Sequence, residues 1–375
     1  MSCVSTTSIS ILFNGGALKA FHPSRGIRQD DPLSPYLFIL CMEVLGALIE
    51  DKCHENLWNP IKASQGGPDF SHLFFADDLM LFAKVDRKNC VAIKEVLESF
   101  CDLSGQKISG EKSCVFFSPN MDQSTQNDLS EVLGFKSTSS LGKYLGFPIK
   151  HKGHQQDFGF VLDRMQSKLA GWKANLLSLA GRIVLTRSVT STIPSYVMQA
   201  TALPPKILKG VDRLNRNFIW GLSKTKKKVH LIGWNKVTKA KEEGGLGIQV
   251  AKPKNTTLLA KLNWRFHTEK SSLWVRVLSN KYCSQRERPR SLLTPPSCSS
   301  TWAGLKKGEA TFLNGSKWIA GRNSCLSLWF DKWLNNGTLR SLISSPLNKG
   351  EENLNLKEVT SFYGWNWEGL SFVFY

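Results

Sequence analysis

The sequence predicts an α+β protein, with short paired strands in its first 150 residues and mainly helices after them. In the first part, turn signals at residues 14–16 and 77–78 each separate two apolar segments, as in β-hairpins. In the second part, apolar residues recur every three or four positions, as on one face of a helix. A length of 375 residues allows two or three domains with cores of their own.

The positive charge of the chain is concentrated in its second part. The net charge is +19, yet residues 1–150 contain 14 Lys and Arg against 17 Asp and Glu. Residues 151–375 contain 35 basic and 13 acidic residues. Such a basic segment favours an anionic partner, and nucleic acid is the first candidate. A basic surface that only keeps the protein soluble is the alternative.

The nine cysteines are irregularly spaced and include no C-x-x-C pair. This pattern predicts reduced thiols in an intracellular protein, with neither a zinc site nor a redox dithiol. The first ten residues lack the apolar core of a signal peptide. The longest apolar segment, residues 36–49, is too short to span a bilayer and contains Glu43, so no membrane partner is expected.

A hairpin and a helix are predicted in the first 50 residues. Residues 8–21 form the hairpin and turn at Asn14-Gly15-Gly16. Asp31 and then Ser34-Pro35 supply helix-start chemistry, and the helix continues to about Glu50. Its predicted apolar face comprises Leu37, Leu40, Cys41, Val44, Leu45 and Leu48.

Three polar side chains precede that helix: Arg25, Arg28 and Gln29. Near a helix start they could contact the phosphates of a ligand, because backbone N–H groups there already favour an anion. The alternative is a capped junction between a loop and a helix, with no ligand.

Two adjacent carboxylates, Asp77 and Asp78, lie between the apolar segments 73–75 and 79–82. Each segment is long enough for a short strand, so the acidic pair is predicted at the turn of a hairpin. Two adjacent like charges repel each other, and a hard divalent cation would offset that repulsion. The alternative is an ordinary turn, since Asp is common in turns.

Apolar stripes predict helices in the second part of the chain. The first comprises Val161, Met165, Leu169, Trp172, Leu176 and Leu179, the second Ile207, Val211, Leu214 and Phe218, and the third Leu259, Leu262, Phe266, Leu273, Val277 and Leu278. Residues 224–228 contain four lysines in a predicted loop, and residues 286–296 form a predicted Pro-rich linker. Four tryptophans between turn residues predict a small β-rich module at 302–334.

Four segments, in order, resemble motifs of non-LTR (LINE-type) retrotransposon reverse transcriptases. Residues 25–35 resemble the motif that follows the first catalytic aspartate, and Phe75-Ala76-Asp77-Asp78 resembles the catalytic turn. Residues 104–113 resemble the next motif, and residues 143–148 resemble the hairpin that grips the primer end. Further segments resemble the plant branch of these elements, namely residues 165–194, 218–221 and 243–247.

The resemblance implies part of a right-hand polymerase. Residues 1–150 would be a partial palm, an antiparallel sheet with helices, and residues 151–222 a helical thumb-like region. Residues 223–296 would be a basic helical connection, and residues 297–375 a small, truncated Trp-rich module.

The resemblance also implies a chemistry, namely RNA-directed DNA synthesis with two Mg²⁺ or Mn²⁺ ions. The partners would be an RNA template, a DNA primer and dNTP, and the compartment the nucleus. Asp77 and Asp78 would bind metal, and Lys112 would neutralise or protonate the leaving pyrophosphate. Template, nucleotide or primer contacts would come from Arg25, Arg28, Gln29, Phe75, Tyr144, Leu145 and Gly146.

Two departures from the family pattern predict an inactive fragment. The family's first catalytic aspartate precedes the motif at residues 25–35, but residues 1–24 contain neither Asp nor Glu. Asp30 replaces a family glycine, which would permit a left-handed backbone, and adds negative charge where phosphates must enter.

Two other hypotheses remain open. The chain could be a non-catalytic protein whose residues 151–375 bind RNA or an RNA–DNA duplex by charge and shape. It could also be unstable, because a palm sheet without its first strands has unpaired edges.

Overall fold

The structure is a computed structural model that describes residues 6–23, 26–149, 158–169, 176–221, 229–283, 298–321, 324–343, 345–361, 364–366 and 370–371. It divides into two compact units, Met1–Gln156 and Asp157–Tyr375. The finer division into four parts stays a prediction. Arg25, Trp172 and the segments 224–228 and 286–296 lie outside the described residues.

The first unit combines helices with two-stranded sheets. Its helices are α1 (Ser34–His54), α2 (Arg87–Ser104) and α3 (Gln123–Leu133). Its strands are β1 (Leu12–Phe13), β2 (Gly16–Ala17), β3 (Ile61–Lys62), β4 (Asp69–Phe70), β5 (His72–Phe75), β6 (Asp78–Leu81), β7 (Cys114–Val115), β8 (Lys136–Ser137), β9 (Lys143–Tyr144) and β10 (Phe147–Pro148). Strands pair in sequence order, and only the β7–β8 pair is parallel among the described strands.

The core of the first unit lies between α1 and α2. The helices contribute Met42, Leu45, Ile49, Val96, Leu97 and Phe100, with Trp58 between them in sequence. From the β5–β6 hairpin, Phe74, Leu79 and Leu81 pack against this core. One face of the acidic hairpin is therefore fixed by apolar burial.

The predicted apolar face of α1 was partly wrong. Leu45 is buried, but Leu40 and Val44 are 63% and 44% exposed, and the helix continues to His54. The buried face is centred on Met42, Leu45 and Ile49 instead. Because α1 is apolar on most of its circumference, the sequence pattern alone could not select the face that packs.

The second unit is mainly helical. Its helices are α4 (Gly159–Leu169), α5 (Leu179–Leu185), α6 (Ser195–Met198), α7 (Pro205–Ile219), α8 (Trp234–Val237), α9 (Ala251–Thr268), α10 (Leu273–Tyr282), α11 (Ser300–Gly315) and α12 (Leu339–Leu342). A π-helix spans Thr186–Thr190, and 3₁₀ turns span Lys241–Glu243, Glu351–Asn353 and Leu356–Glu358. Strands β11 (Thr360–Ser361) and β12 (Gly364–Trp365) pair near the end. Both units together confirm the α+β class.

Several predicted stripes were only partly right. Val161 and Met165 are buried, but Leu176 and Leu179 are 76% and 53% exposed because Ser178 caps a new helix, α5. The stripe of Ile207, Val211 and Phe218 is buried as predicted, with Leu214 partly buried. The third stripe is divided between α9 and α10, and Val275 rather than Leu273 is buried.

The predicted β-rich module at 302–334 was wrong in its first half. Residues Ser300–Gly315 form α11, whose Trp302 and Leu305 join Leu259, Leu262 and Phe266 of α9 in one core. A second core around Leu328, Trp329 and Leu356 follows it. Among the described residues, no helix has the length and apolar character needed to cross a bilayer.

Candidate functional site

The acidic hairpin has a tight, strained turn. Phe75 pairs with Asp78, so Ala76 and Asp77 form a two-residue loop between β5 and β6. Ala76 has φ +50°, in the left-handed region. Two-residue loops with positive φ only at their first position usually contain glycine there. Alanine in this conformation costs about 1 kcal/mol, and such strain is concentrated at functional sites.

The strand alternation separates a buried face from an open face. Phe74 and Leu79 are paired across the strands and lie on the core side. Leu73, Phe75 and Asp78 lie on the opposite side, where Leu73 and Phe75 are 38% and 60% exposed. Asp77 and Asp78 are both exposed. The packing of one hairpin face thus presents the two carboxylates and the Phe75 ring to solvent.

The carboxylate pair fits a partial Mg²⁺ site. Mg²⁺ is often held by one or two carboxylates, with water and phosphate oxygens completing its octahedron. Asp77 and Asp78 are adjacent and accessible, which meets that requirement for one ion. Within the described ranges, no cluster of three or more His, Cys, Asp or Glu side chains could hold an ion.

The loop before α1 has an unusual backbone at Asp30. This residue has φ +60°, so the position does adopt the left-handed conformation that the family glycine would allow. Arg28 and Gln29 beside it are exposed. The Ser34 hydroxyl donates a hydrogen bond to the Arg28 carbonyl oxygen at 2.5 Å. The loop is therefore tied to the first turn of α1.

The prediction that the Asp31 side chain caps α1 was wrong. The helix begins at Ser34, and the residue before it, Leu33, makes no side-chain cap. Asp31 instead accepts a hydrogen bond from the Leu33 backbone N–H at 2.9 Å, in a turn that precedes the helix. Pro35 lies in the first turn as predicted, because its missing N–H has no helical partner there.

Lys112 lies in a turn before β7 and is exposed. Its backbone N–H donates to the Ser109 carbonyl oxygen at 3.2 Å. No ion pair joins Lys112 or Arg28 to Asp77 or Asp78 in the part of the chain that the structure describes. The role predicted for Lys112 therefore stays a prediction.

Residues 143–148 form a second strained hairpin. Tyr144 of β9 pairs with Phe147 of β10, and Leu145 and Gly146 form the loop with φ +49° and +75°. Two positive φ values define a type I′ turn, which favours Asn-Gly. The hairpin was expected from the family motif, but the left-handed Leu145 was not, since only Gly146 gives a local signal.

A cationic stripe on α7 is the main feature of the second unit. Ile207, Leu208, Val211 and Phe218 bury one side of the helix. Lys206, Lys209 and Arg213 are exposed on the other side, at steps of three and four residues. Between residues 206 and 217, every exposed side chain is one of these three cations.

In the described part of the chain, this stripe has no carboxylate paired with it. None of the ion pairs among the described residues includes Lys206, Lys209 or Arg213. Asp212 on the same helix instead accepts a hydrogen bond from the Ala251 N–H at 3.0 Å, at the start of α9. Burial raises the pKa of Asp212, although that bond and Arg216 oppose the rise. Asp212 therefore directs its hydrogen bonding to α9 rather than to the stripe.

Comparison with known proteins links the first unit to reverse transcriptases. Residues 2–149 match the family "Reverse transcriptase (RNA-dependent DNA polymerase)". This range contains both strained hairpins, the loop at Asp30 and Lys112. The coarser part of the expected resemblance is therefore confirmed for this segment, while the matched range ends before the second unit begins.

Three relatives extend this similarity. The chain is 40% identical over 198 residues to a protein of Arabidopsis thaliana named "Putative ribonuclease H protein", covering 52% of this chain and 32% of the relative. It is 48% identical over 67 residues to an uncharacterized mitochondrial protein of the same plant, covering 18% and 55%. It is 34% identical over 99 residues to the Retrovirus-related Pol polyprotein from a type-2 retrotransposable element of Drosophila melanogaster, covering 26% and 8%. The chain thus spans about a third of the first relative.

Proposed function

We propose that the chain derives from the RNA-directed DNA polymerase of a non-LTR, LINE-type retrotransposon of the plant branch. The observation that carries this proposal is the strained Phe75–Asp78 turn with its two exposed carboxylates, inside the segment that matches reverse transcriptases. A mixed sheet-and-helix unit of this kind suits a polymerase palm. The partners would be an RNA template, a DNA primer and dNTP, and the compartment the nucleus.

Each candidate site residue of the first unit would have a role that suits its side chain. Asp77 and Asp78 would ligate Mg²⁺ or Mn²⁺, which when bound activates a hydroxyl and stabilises charge on phosphate. Phe75, exposed beside Asp78 on the open face, could contact a nucleotide. The Tyr144–Gly146 turn would support a primer end, and Lys112 and Arg28 would attract phosphates. By the same family motif, Arg25 and Gln29 would also contact template or nucleotide.

We further propose that the 375-residue chain, tested by itself, does not extend a primer. The family's first catalytic aspartate has no counterpart in residues 1–24, and Asp30 adds negative charge to the loop that would contact phosphates. Primer extension on poly-rA with oligo-dT, in Mg²⁺ and in Mn²⁺, should give no product above the Asp77→Ala/Asp78→Ala variant. Metal-dependent synthesis that this variant lacks would contradict the proposal.

Metal binding offers a second measurement that does not need activity. Electron paramagnetic resonance titration should show weak Mn²⁺ binding that Asp77→Asn/Asp78→Asn removes. The matched control is Glu242→Gln/Glu243→Gln, which removes another adjacent and exposed acidic pair. Equal loss in both variants would show nonspecific binding and would count against a site at the hairpin.

A second candidate function is non-catalytic binding of RNA or an RNA–DNA duplex, favoured by the stripe on α7. Lys206 and Arg213 are seven residues apart in sequence, which places them about 10 Å apart along the helix axis. Cations at this spacing can follow a row of phosphates, and each contact releases counterions. This reading does not need the acidic hairpin to be active.

Fluorescence anisotropy with labelled duplexes tests the second candidate. The logarithm of the association constant should fall linearly with the logarithm of salt concentration, and Lys206→Ala/Lys209→Ala/Arg213→Ala should reduce that slope by about 2–3. Lys261→Ala/Lys270→Ala/Lys357→Ala removes the same charge at exposed positions outside α7 and serves as the control. Equal effects of the two triple variants would exclude a localised stripe.

A further inference from the structure

The first hairpin of the chain carries an apolar face that the described residues leave uncovered. We call residues 9–21 the arm. Beyond the β1–β2 pair, the backbones of Ile9 and Phe21 exchange two hydrogen bonds of 2.9 Å. Asn14 and Gly15 form the turn with φ +47° and +82°, the type I′ geometry that such hairpins favour. The arm is therefore a hairpin whose return strand has one extra residue between Leu18 and Phe21, because Ile9 bridges Phe21 instead of Ala20.

Strand alternation gathers the large side chains of the arm on one face. Ile9, Ile11 and Phe13 alternate along the first strand. Phe21 bridges Ile9, and the Leu18 N–H donates to the Ile11 carbonyl oxygen at 2.9 Å. We call this group the arm face: Ile9, Ile11, Phe13, Leu18 and Phe21, which are 43%, 55%, 64%, 52% and 48% exposed. Leu12, 78% exposed, lies on the other face.

An uncovered face of this kind has a physical cost. An isolated two-stranded hairpin is marginal in water and is normally stabilised by packing of an apolar face. A contiguous apolar patch on a protein surface is typical of an interaction site. The arm contains only one charged residue, Lys19. Its partner must therefore be recognised by apolar contact rather than by charge.

The charge distribution of the chain indicates which partner fits. The arm lies in the part with 14 basic and 17 acidic residues, whereas residues 151–375 contain 35 and 13. An acidic partner would be attracted to the second part and away from the arm. Two copies of the chain repel each other through their basic parts, and the nearly neutral part that contains the arm opposes their approach least.

We propose that the arm face is a homodimer contact. Two arms would pack face to face about a twofold axis, which gives a two-layer arrangement of four strands. Five half-exposed large side chains offer on the order of 500 Å² per copy. The total of about 1,000 Å² is at the low end of specific interfaces. Interfaces of this size are typical of weak and transient complexes, so the dimer is reversible.

Sedimentation velocity of the nucleic-acid-free 375-residue chain tests this proposal over roughly 1–100 μM, a range in which weak and reversible dimers are detected. The sedimentation coefficient should rise with concentration from monomer to dimer. Raising NaCl from about 0.1 to 0.5 M should strengthen the dimer, because salt screens the repulsion between the basic parts. This salt effect is opposite in sign to that on nucleic-acid binding, so the two proposals fail independently.

Neighbouring residues of the arm supply a matched pair of variants. Ile11→Lys places a charge on the arm face and should abolish dimerisation over the whole range. Leu12→Lys adds the same charge one residue away on the other face and should leave the dimer intact. Ile11→Thr/Phe13→Thr keeps β-branched residues in the strand and should also weaken the dimer, which separates lost contact from a lost hairpin.

Three results would overturn the proposal. The first is a monomer at every concentration in both salt conditions. The second is a dimer that Ile11→Lys leaves unchanged, or that Leu12→Lys weakens equally. The third is a dimer that salt dissociates, since that behaviour indicates an electrostatic contact.

Discussion

At the scale of single residues, left-handed backbone marks the segments that resemble catalytic motifs. Five described residues other than glycine have positive φ: Asn14, Asp30, Asn56, Ala76 and Leu145. Asparagine tolerates this conformation, so Asn14 and Asn56 are ordinary. The remaining three lie in the loop before α1 and in the two hairpins predicted to form the site. The sequence could predict Asp30 from the family glycine, but Ala76 and Leu145 give no local signal of their conformation.

The backbone strain at Asp30 can be measured by comparing how glycine at position 30 and glycine at position 31 change the free energy of unfolding. Asp30→Gly should raise the free energy of unfolding by up to about 1 kcal/mol, because glycine adopts φ +60° without steric cost. Asp31→Gly should lower it by about 1 kcal/mol, since it removes the hydrogen bond that Asp31 accepts from Leu33. Urea unfolding of both variants provides the measurement. A stabilisation of equal size in both would contradict strain at Asp30.

At the scale of elements, hairpins were predicted better than helix faces. Turn chemistry is local, so Asn14-Gly15 and the Asp77 turn located their hairpins correctly. The face of α1 depends on tertiary packing, which no local pattern records. Helix α11 was missed because the four tryptophans of residues 302–334, lying between turn residues, predicted a β-rich module. Within this helix, Gly308 allows a close contact with α9: a Cβ there would lie 2.4 Å from the Leu259 carbonyl carbon.

Gly308 should therefore be the most sensitive position of α11. Gly308→Ala should lower the free energy of unfolding by about 1–3 kcal/mol, since the α9 backbone cannot move aside as a side chain could. Gly315→Ala, in the last turn of the same helix with nothing within 4 Å, should be neutral or stabilising by up to about 1 kcal/mol. Thermal unfolding followed by circular dichroism tests the pair, and similar melting temperatures would refute the close contact.

The cap of α3 makes a prediction about pH. Asp122 accepts hydrogen bonds from the Thr125 N–H at 2.8 Å and the Thr125 hydroxyl at 2.9 Å, and these lower the pKa of its carboxyl below the ordinary value. A carboxyl whose pKa is lower when folded stabilises the protein above its unfolded pKa and loses this effect as pH falls through the folded pKa. The difference in urea midpoint between the natural chain and Asp122→Ala should be largest at pH 7 and should decrease in acid, as the charged part of the cap is lost.

Asp122→Asn is the control for that measurement. Its amide oxygen can still accept from the Thr125 N–H, so it retains a cap without an ionisable group. The difference between Asp122→Asn and Asp122→Ala should not change with pH. A difference between the natural chain and Asp122→Ala that persisted unchanged to pH 2 would show that the carboxylate charge contributes nothing.

At the scale of the whole molecule, the sequence predicted the charge asymmetry but not the surface that carries it. Counting residues was enough to place the excess of cations after residue 150. The structure was needed to show that Lys206, Lys209 and Arg213 share the exposed side of α7. Buried apolar residues fix that side, and a stripe exists because the core selects which residues face outward.

The same asymmetry should govern stability in salt. The second unit has a large excess of cations, and its ion pairs among the described residues include only Arg265–Glu269 and Lys306–Glu309. Mutual repulsion destabilises a compact state, and salt screens that repulsion.

Tryptophan fluorescence can follow this unit almost alone, because all 12 tryptophans except Trp58 lie beyond residue 156. The midpoint of its thermal transition should rise between about 0.05 and 0.5 M NaCl. Glucose at equal osmolality is the control for effects other than screening, and a transition that salt lowers would show that repulsion does not limit the stability of this unit.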